Sequence, residues 1–380
     1  MGEQKIFKVC LTGGPCSGKT TSLAEIVQYF SHEFMIYTLP EVATMTFSSG
    51  VSIIPSEFTE DNHKEFTKSI CQMQIDIEKY FESIAKTQKK KVIIIVDRGV
   101  MDNFAFTSAE NKSKILEESG WTMNFICNER YDMVIHLVTA ANGAEEFYTL
   151  EGNSARSESK EQAKEQDNKL MKEWMGHPNF IVIDNREIGF NKKMERVLNK
   201  VNHLVGGKLA PTSTHKYLLE DEFTIAQLPK GLDYEEYWEE TSMLINNKPD
   251  TYCYTIKRVY KESIFPVYMF TTRVLNPCLE KCIQTTKIIS ERLYFDFQAQ
   301  KDPNFQTAKK KVYSFFLADS SIINLYSIEV LKLNDSNVNI LRVSRDTEKV
   351  DKDIIPHFLS VKEDISENPD YTTRNLARIS

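Results

Sequence analysis

The feature that most constrains this chain is a run of eight residues near its N-terminus, Gly13-Gly14-Pro15-Cys16-Ser17-Gly18-Lys19-Thr20. The run fits the pattern G-x-x-x-x-G-K-[ST]. An apolar stretch, residues 6–12, precedes it, and apolar residues recur with helical spacing after it. Because a strand, a glycine-rich turn and a helix in this order direct backbone N–H groups toward a phosphate, the run predicts a P-loop. The alternative is a chance glycine turn between a strand and a helix.

Each part of this loop has an expected role in nucleotide binding. The backbone from Gly13 to Gly18, with Thr21 just after the loop, would surround the phosphates. Lys19 would contact the β- and γ-phosphates, and the hydroxyl of Thr20 would hold Mg²⁺. The sequence therefore predicts Mg²⁺ and either GTP or ATP as the ligands of this part of the chain.

The first half of the chain, residues 1–205, alternates between predicted strands and helices. Residues 91–97 form an aliphatic run that ends in a carboxylate, which is typical of a parallel strand covered on both faces. Further strands are predicted over residues 34–39, 131–138 and 180–184, and helices over residues 61–89 and 194–204. This order predicts an α/β P-loop domain with a doubly wound parallel sheet and a ligand at the C-terminal strand ends.

Charged residues follow two of these strands and are candidates for the chemistry of the site. Asp97 ends its strand and could hold Mg²⁺, while its neighbour Arg98 could contact a phosphate. Glu41 follows another strand and could act as a general base or orient water. Asp102 is a further candidate for the same groove. The alternatives are a surface pair that caps a strand for Asp97 and Arg98, and a helix N-terminal acid for Glu41.

Two later segments could contact other parts of a nucleotide. Residues 151–176 are very polar and could form a lid, with Arg156 as a catalytic arginine supplied in cis. The alternative for this segment is the solvated face of a helix. Asp184-Asn185 ends the last predicted strand, where Asp184 could accept hydrogen bonds from guanine, and the alternative there is simple turn chemistry.

The second half of the chain has a different pattern. Residues 206–214 have the composition of a linker, and the hydrophobic pattern after them has a period of two. Residues 215–380 are therefore predicted to form a mostly antiparallel α+β domain. Basic residues on its strands are candidates to bind an anionic ligand, or else to point outward: Lys257, Arg258, Arg273, Lys310, Arg342 and Arg345.

Composition limits the partners of the chain. The formal net charge is −7, so the chain as a whole lacks the basic surface expected of a nucleic-acid-binding protein. The sequence shows no apolar run of transmembrane length and no signal peptide, and its seven cysteines are scattered. These features predict a cytoplasmic protein with reduced thiols and no transmembrane segment.

Several motifs together resemble one family. They are the loop from Gly13 to Thr21, the segment 40–44 with Glu41, Asp97-Arg98-Gly99, the stretch 155–159 with Arg156, and Ile183-Asp184-Asn185. The chain resembles the nicotinamide-riboside-kinase-like, AAA-type P-loop domain, and most closely the translocation-defect-type proteins. The resemblance implies binding of GTP and acidic phospholipids, a role in membrane-protein trafficking, and a second domain similar to the CYTH or triphosphate-tunnel barrel.

One departure from the tunnel enzymes concerns their E-x-E-x-K strand. The corresponding stretch here, residues 215–220, lacks the paired metal-binding acids. The second domain is therefore expected to bind a phospholipid headgroup or a polyphosphate rather than to hydrolyse it.

The sequence leaves three functional hypotheses open. The first is a Mg²⁺-dependent regulatory protein that binds GTP or ATP with slow or absent hydrolysis and carries a ligand-binding β domain. The second is an enzyme, a P-loop kinase of nucleoside- or riboside-like molecules, with Glu41 as the base and Arg98 and Arg156 stabilising the transferred phosphoryl group. The third is a structural subunit of a larger cytoskeletal or ciliary assembly, which adds a membrane-peripheral or ciliary location to the cytoplasmic one.

Overall fold

The computed structural model describes residues 6–49, 59–148, 159–185, 189–206, 214–246, 251–261, 266–276, 281–319, 322–332, 337–344 and 355–379. The chain forms two compact units. The first comprises Met1–Ala210 with Ala318–Ile323, and the second comprises Pro211–Leu317 with Asn324–Ser380. The two units are built on different sheets, one parallel and one antiparallel, so each is described by itself.

The first unit is built on a five-stranded sheet in which every described pairing is parallel. Its strands are β1 (Ile6–Thr12), β2 (Met35–Leu39), β3 (Val92–Asp97), β4 (Met133–Leu137) and β5 (Phe180–Ile183). Their order in the sheet is β2-β3-β1-β4-β5, which places β1 at the centre. This architecture confirms the predicted α/β P-loop class.

Helices cover the strands of this sheet. They are α1 (Lys19–Phe30), α2 (Val42–Ser48), α3 (Glu60–Ala85), α4 (Ala109–Ser119), α5 (Lys160–Glu173) and α6 (Phe190–Leu204). The long predicted helix is α3, whose N-terminus is capped by the Thr59 side chain accepting from the Asn62 N–H. No helix in the described ranges is both long and apolar enough to cross a membrane.

The two faces of the parallel sheet are both buried, because successive residues of a strand point to opposite sides. In β3, Ile93 and Ile95 belong to one apolar cluster and Ile94 and Val96 to another. The first cluster includes residues of α1 and α6, and the second includes residues of α3. A fully apolar strand such as β3 is stable only in this doubly covered position.

The second unit is built on a nine-stranded sheet with the order β10-β9-β8-β7-β11-β12-β13-β6-β14. Its strands are β6 (Thr214–Leu219), β7 (Tyr234–Leu244), β8 (Thr251–Tyr260), β9 (Val267–Asn276), β10 (Lys281–Ile288), β11 (Ala308–Asp319), β12 (Ile322–Lys332), β13 (Asn337–Ser344) and β14 (Val361–Asp364). Two helices, α7 (Glu291–Gln298) and α8 (Thr373–Leu376), accompany it. The pairings described for neighbouring strands are antiparallel, as the period of two predicts.

The register of this sheet separates its residues into two faces. One face carries an apolar cluster that includes Phe315, Ile328 and Leu341. The other face carries a row of charged residues in cross-strand register, in which Glu239 is paired with Lys310 on one side and Arg258 on the other. The closure of this sheet into a tunnel, which the family resemblance implies, stays a prediction.

Candidate functional site

A cleft of about 810 Å³ lies in the first unit, at the C-terminal ends of the parallel strands. Its wall takes residues from the segments that follow all five strands, for example Lys19, Glu41, Asp97, Ala140 and Asn185. This volume lies within the range of pockets that hold small-molecule ligands. Every predicted loop residue from Pro15 to Thr21 lines the cleft, so the P-loop and four neighbouring loops form one site.

The P-loop backbone requires glycine at two points because of close approaches. Gly13 has a φ of 137°, and a Cβ atom there would lie 2.1 Å from the carbonyl oxygen of Leu137. Gly18 has a φ of 94°, and a Cβ atom there would lie 2.7 Å from Cε2 of Phe190. Cys16 also has a positive φ, 54°, which is uncommon for a residue with a side chain. These conformations give the loop its tight turn at the start of α1.

Lys19 is held against the loop by oxygen atoms of the loop itself. Its Nζ donates to the carbonyl of Gly13 at 2.7 Å, to that of Gly14 at 3.1 Å and to Oγ of Ser17 at 3.4 Å. The pKa of Lys19 is lowered to about 8, chiefly by burial and also by the nearby Arg98 cation, whereas Asp97, Glu41 and Asp102 oppose the shift. Because a nearby anion favours the charged form of a lysine, a phosphate bound in the cleft would raise this pKa again.

Asp97 and Thr20 are the residues that fit a Mg²⁺ ion. Oδ1 of Asp97 is buried and has no hydrogen-bond partner among the residues that the structure describes. Burial raises the pKa of this carboxyl group, with Glu41 adding to the shift and Lys19 opposing it. Both Asp97 and Thr20 line the cleft. A buried carboxylate oxygen without a partner suits a divalent cation, for which oxygen is the preferred ligand.

Arg98 and Glu41 form an ion pair across the ends of β3 and β2. Nε of Arg98 lies 2.9 Å from Oε1 of Glu41, and Oε2 of Glu41 accepts from the Thr44 hydroxyl at 3.0 Å. Arg98 has a φ of 64°, and its N–H donates to the Leu11 carbonyl at 2.9 Å. Because a non-glycine residue in this conformation is strained, its occurrence in the cleft wall is typical of a functional site.

Asp167 is a site residue that the sequence analysis missed. Its carboxylate, buried in α5, accepts from the N–H of Gly14 at 2.6 Å and from the N–H of Thr139 at 3.2 Å. Nε2 of the buried His136 lies 3.2 Å from Oδ1. Burial alone would raise the pKa of Asp167, but His136 and the two N–H groups outweigh it and hold the pKa below its ordinary value. Asp167 therefore anchors the first turn of the P-loop to α5.

The polar segment 151–176 is partly a packed helix. In α5 the buried residues are Ala163, Asp167, Leu170 and Met171, which recur with helical spacing. This spacing was visible in the sequence and would have indicated that Asp167 lies on the buried face. Arg156 lies outside the described residues, so its role and the lid remain predictions.

The structure corrects the predicted position of Asp184. Its carboxylate is buried, with Oδ1 3.0 Å from Nη2 of Arg196, and it does not line the cleft. Asn185 does line the cleft, but its amide donates to the carbonyls of Thr139 at 2.9 Å and Asn142 at 2.7 Å. The ion pair with Arg196 occupies the carboxylate that was expected to contact a guanine base.

Asp102 also lies away from the groove. Its two oxygen atoms accept from the Thr12 hydroxyl, from Nε1 of Trp174 at 3.1 Å and from the Gly99 N–H at 2.7 Å. It is 1% exposed and does not line the cleft. Asp102 therefore holds the segment after β3 in place instead of facing a ligand.

The second unit contains a buried cluster of alternating charges. Glu239 lies 2.6 Å from Nη2 of Arg258 and 2.9 Å from Nζ of Lys310. Lys310 also lies 3.1 Å from Glu329, which in turn lies 2.9 Å from Nη2 of Arg342. Burial alone would raise the pKa of Glu239, but Lys310 and Arg258 outweigh it and lower the pKa to about 2. Three of the predicted anion-binding residues thus already have carboxylate partners.

The remaining predicted basic residues have different positions. Lys257 lies on the opposite face from this cluster, 4.0 Å from Glu240, because it is next to Arg258 in the same strand. The guanidinium of Arg273 lies over the Tyr252 ring, with 5.8 Å between its Cζ and the ring centroid. Arg345 lies outside the described residues.

Lys216 is a cation of this face that the sequence analysis missed. It lies directly opposite Arg342 in the pairing of β6 with β13. The pKa of Lys216 is lowered to about 8, chiefly by burial and also by the cation of Arg342, whereas Glu329 opposes the shift. The alternation of β6 places it on the charged face and could have indicated this position.

The first unit matches a known family of domains. Residues 8–189 match the sequence profile of a family described as AAA domain. Together with the parallel sheet and the loop geometry, this match defines that part of the chain as an AAA-type P-loop domain, a nucleotide-binding class.

Comparisons of the whole chain give weaker similarities. No curated protein sequence matches it. The chain is similar to a crystal structure of the inorganic triphosphatase NE1496, with 16% sequence identity and a TM-score of 0.30. The alignment covers 45% of this chain and 97% of that chain. It is also similar to a structure of the PH1819 protein from Pyrococcus horikoshii OT3, with 7% sequence identity and a TM-score of 0.28. That alignment covers 36% of this chain and 77% of the PH1819 chain. Similarities of this size do not by themselves define the fold.

Proposed function

We propose that the chain is a regulatory protein whose first unit binds Mg²⁺ with GTP or ATP and hydrolyses it slowly or not at all. The observation that carries the proposal is the pairing of two groups in one cleft. The ammonium of Lys19 rests on three oxygen atoms of the P-loop, and the buried Oδ1 of Asp97 has no partner among the described residues. A triphosphate with its metal ion supplies the opposite charge to both groups.

The arrangement of Glu41 favours binding over phosphoryl transfer. A general base must be free to accept a proton from the acceptor hydroxyl. Both carboxylate oxygens of Glu41 are already engaged, one by Arg98 and one by Thr44. A P-loop kinase of nucleoside-like molecules is the second candidate, supported by the position of Glu41 and Arg98 in the cleft wall. Transfer of labelled phosphate to a nucleoside, abolished in Glu41→Gln, would favour the kinase.

The replacement Lys19→Ala tests the proposal. We expect it to weaken binding of both GTP and ATP by at least about 10-fold, because a hydrogen bond to a charged group contributes about 1.5–3 kcal/mol. The matched control is Lys169→Ala, which removes an exposed lysine of α5 paired with Glu165. Isothermal titration calorimetry in Mg²⁺ would compare the affinities of the two variants and the wild type for GTP and ATP. Equal affinities in Lys19→Ala and wild type would contradict the proposal.

We further propose that the charged face of the second unit binds an anion, either a phospholipid headgroup or a polyphosphate. Support comes from the balance of charge on this face. Lys216, Arg258, Arg273, Lys310 and Arg342 contribute cations. Among the described residues, the carboxylates that act on the pKa values of Lys216, Arg258 and Lys310 are those of Glu239 and Glu329. The surplus of positive charge, together with the lowered pKa of Lys216, is the electrostatic setting that favours a bound anion.

The replacement Lys216→Ala tests this second site. In the Lys19→Ala background, which removes the contribution of the P-loop, we expect it to weaken tripolyphosphate binding by at least about 10-fold, from the loss of one charged hydrogen bond. Lys309→Ala is the matched control, because Lys309 is exposed and contacts Glu240 on the other face. Vesicles with and without phosphatidic acid distinguish a lipid headgroup from a free polyphosphate. Unchanged binding of both probes would refute the assignment.

The wider roles that the resemblance implies stay expectations of this proposal. They are a part in membrane-protein trafficking, a membrane-peripheral or ciliary location, and a place in a larger assembly. A nucleotide-binding unit joined to an anion-binding unit is the kind of protein in which one ligand controls the response to the other. Co-sedimentation with phosphatidic acid vesicles, with and without Mg²⁺ and GTP, would measure such coupling.

A further inference from the structure

Asp102 is a buried carboxylate whose hydrogen bonds join two of the loops that form the nucleotide cleft. Its Oδ1 accepts from the hydroxyl of Thr12 and from Nε1 of Trp174 at 3.1 Å, and its Oδ2 accepts from the N–H of Gly99 at 2.7 Å. Thr12 is the last residue before the P-loop, and Gly99 lies two residues after Asp97. Asp102 therefore ties the phosphate side of the cleft to the side that carries Asp97.

The surroundings of Asp102 leave its negative charge without a cation. Both of its oxygen atoms accept from N–H groups, which is the role of an ionised carboxylate. The residue is 1% exposed, and it forms no ion pair with the residues that the structure describes. A buried anion in this position is stabilised by any cation that binds nearby.

The charge of Asp102 acts on the carboxylate that is expected to hold Mg²⁺. Burial is the main cause of the raised pKa of Asp97, and the charges of Glu41 and Asp102 add to it, whereas those of Lys19 and Arg98 oppose it. Carboxylates that repel one another in a buried cleft favour a divalent cation among them, because the cation offsets the repulsion.

Trp174 holds this carboxylate in place through its indole N–H and its ring. The side chain is fully buried, and a Cβ atom on Gly99 would lie 2.7 Å from Cζ2 of the ring. Trp174 directly follows α5, the helix whose Asp167 accepts from the N–H of Gly14. One helix therefore supports the P-loop through Asp167 and the segment after β3 through Trp174.

We propose that Asp102, held by Trp174, is a positioning residue for the Mg²⁺ site. It fixes Asp97 relative to the P-loop and adds negative charge beside the cation, although it does not itself line the cleft. Replacing an outer residue of this kind typically weakens metal binding by about 10- to 100-fold. This inference rests on the proposed Mg²⁺-dependent nucleotide binding and assigns the residues that support its metal side.

The replacement Asp102→Asn tests this role, because asparagine keeps the size of the side chain and loses its charge. Affinities for GTP and ATP are measured in EDTA and over a range of Mg²⁺ concentrations. We expect the Mg²⁺ concentration that gives half of the increase in affinity to rise by about 10-fold or more, while the affinity in EDTA changes by about 3-fold or less. Glu173→Gln, which neutralises the partner of Lys112 at the end of α5, is the matched control and should change neither quantity.

Thr12 provides a second test that does not depend on the folding of Asp102→Asn. Thr12→Val keeps the shape of the side chain and removes the hydroxyl donor, so the Mg²⁺ requirement should rise by about 3-fold or more. Thr12→Ser keeps the donor and should behave like wild type. An equal loss of affinity in Mg²⁺ and in EDTA would make the role of Asp102 purely structural and overturn the proposal, as would an unchanged Mg²⁺ requirement in both Asp102→Asn and Thr12→Val. If the wild-type protein bound neither nucleotide in Mg²⁺, the proposed function itself would fail.

Discussion

Replacing Asp167 by alanine is expected to lower both the stability of the first unit and its affinity for nucleotide. The change leaves the N–H groups of Gly14 and Thr139 without their partner and removes the carboxylate beside His136. Each buried group left unsatisfied costs about 1–3 kcal/mol, so the free energy of unfolding should fall by roughly 2–5 kcal/mol. Because Gly14 begins the P-loop turn, affinity for GTP and ATP should fall by about 10-fold or more.

Chemical denaturation and titration with nucleotide measure the two effects separately. Glu165→Ala is the matched control, because Glu165 belongs to the same helix, is 67% exposed in its side chain and contacts only Lys169 among the described ion pairs. The control should change stability by less than about 0.5 kcal/mol, as surface substitutions usually do. If Asp167→Ala and Glu165→Ala behaved alike in both measurements, the anchoring role of Asp167 would be wrong.

Replacing Glu239 by glutamine should strongly destabilise the second unit. The change removes the negative charge between Arg258 and Lys310 and leaves two buried cations with less compensation. Breaking a buried ion pair by removing one partner usually costs about 3–5 kcal/mol. The matched control is Glu240→Gln in the next position of β7, where the carboxylate is 37% exposed and faces Lys257 and Lys309. Thermal unfolding followed by circular dichroism compares the two variants.

The effect of Glu239→Gln should depend on pH in a defined direction. The pKa of Glu239 is lowered to about 2, below the ordinary value of 4.5, so the folded state favours the charged carboxylate. A lowered carboxyl pKa contributes stability above the ordinary value and loses it as pH falls through the folded one. The difference between wild type and Glu239→Gln should therefore be largest near pH 7 and shrink between about pH 4.5 and 2. A difference that stays constant over this range would contradict the role of the charge.

The architecture of the first unit was predictable because local patterns determine it. The aliphatic run of β3, the apolar spacing of α3 and the glycine loop each depend on residues close together in the sequence. Because the C-terminal ends of parallel strands meet at one edge of the sheet, this topology brings Lys19, Asp97 and Glu41 together. The structure places all three in the wall of one cleft.

The contacts that complete the site were harder to predict because they join distant segments. Asp167 contacts Gly14 across 153 positions of sequence, and the polar surroundings of Asp167 hide its buried side. Asp184 was expected to face a base because it follows a strand. Instead, its carboxylate forms an ion pair with Arg196 of α6. Lys193 faces the cleft from the same helix, and nothing in the sequence marks it among the lysines around it.

In the second unit the alternating pattern predicted strands but not the partners of their charges. The pattern places Lys257 and Arg258 on opposite faces, and it cannot show that Glu239 and Glu329 form ion pairs with Arg258, Lys310 and Arg342. These ion pairs depend on which strands are neighbours in the sheet, which is a property of the tertiary structure.

The central claim is that the P-loop cleft binds a nucleoside triphosphate together with Mg²⁺. The most direct measurement is an equilibrium titration of the wild-type protein with fluorescent GTP and ATP, once in Mg²⁺ and once in EDTA. We predict saturable binding at one site, stronger with Mg²⁺ than with EDTA because Asp97 and Thr20 then hold the ion beside the phosphates. A folded protein that shows no saturable binding of either nucleotide in Mg²⁺ would contradict the claim.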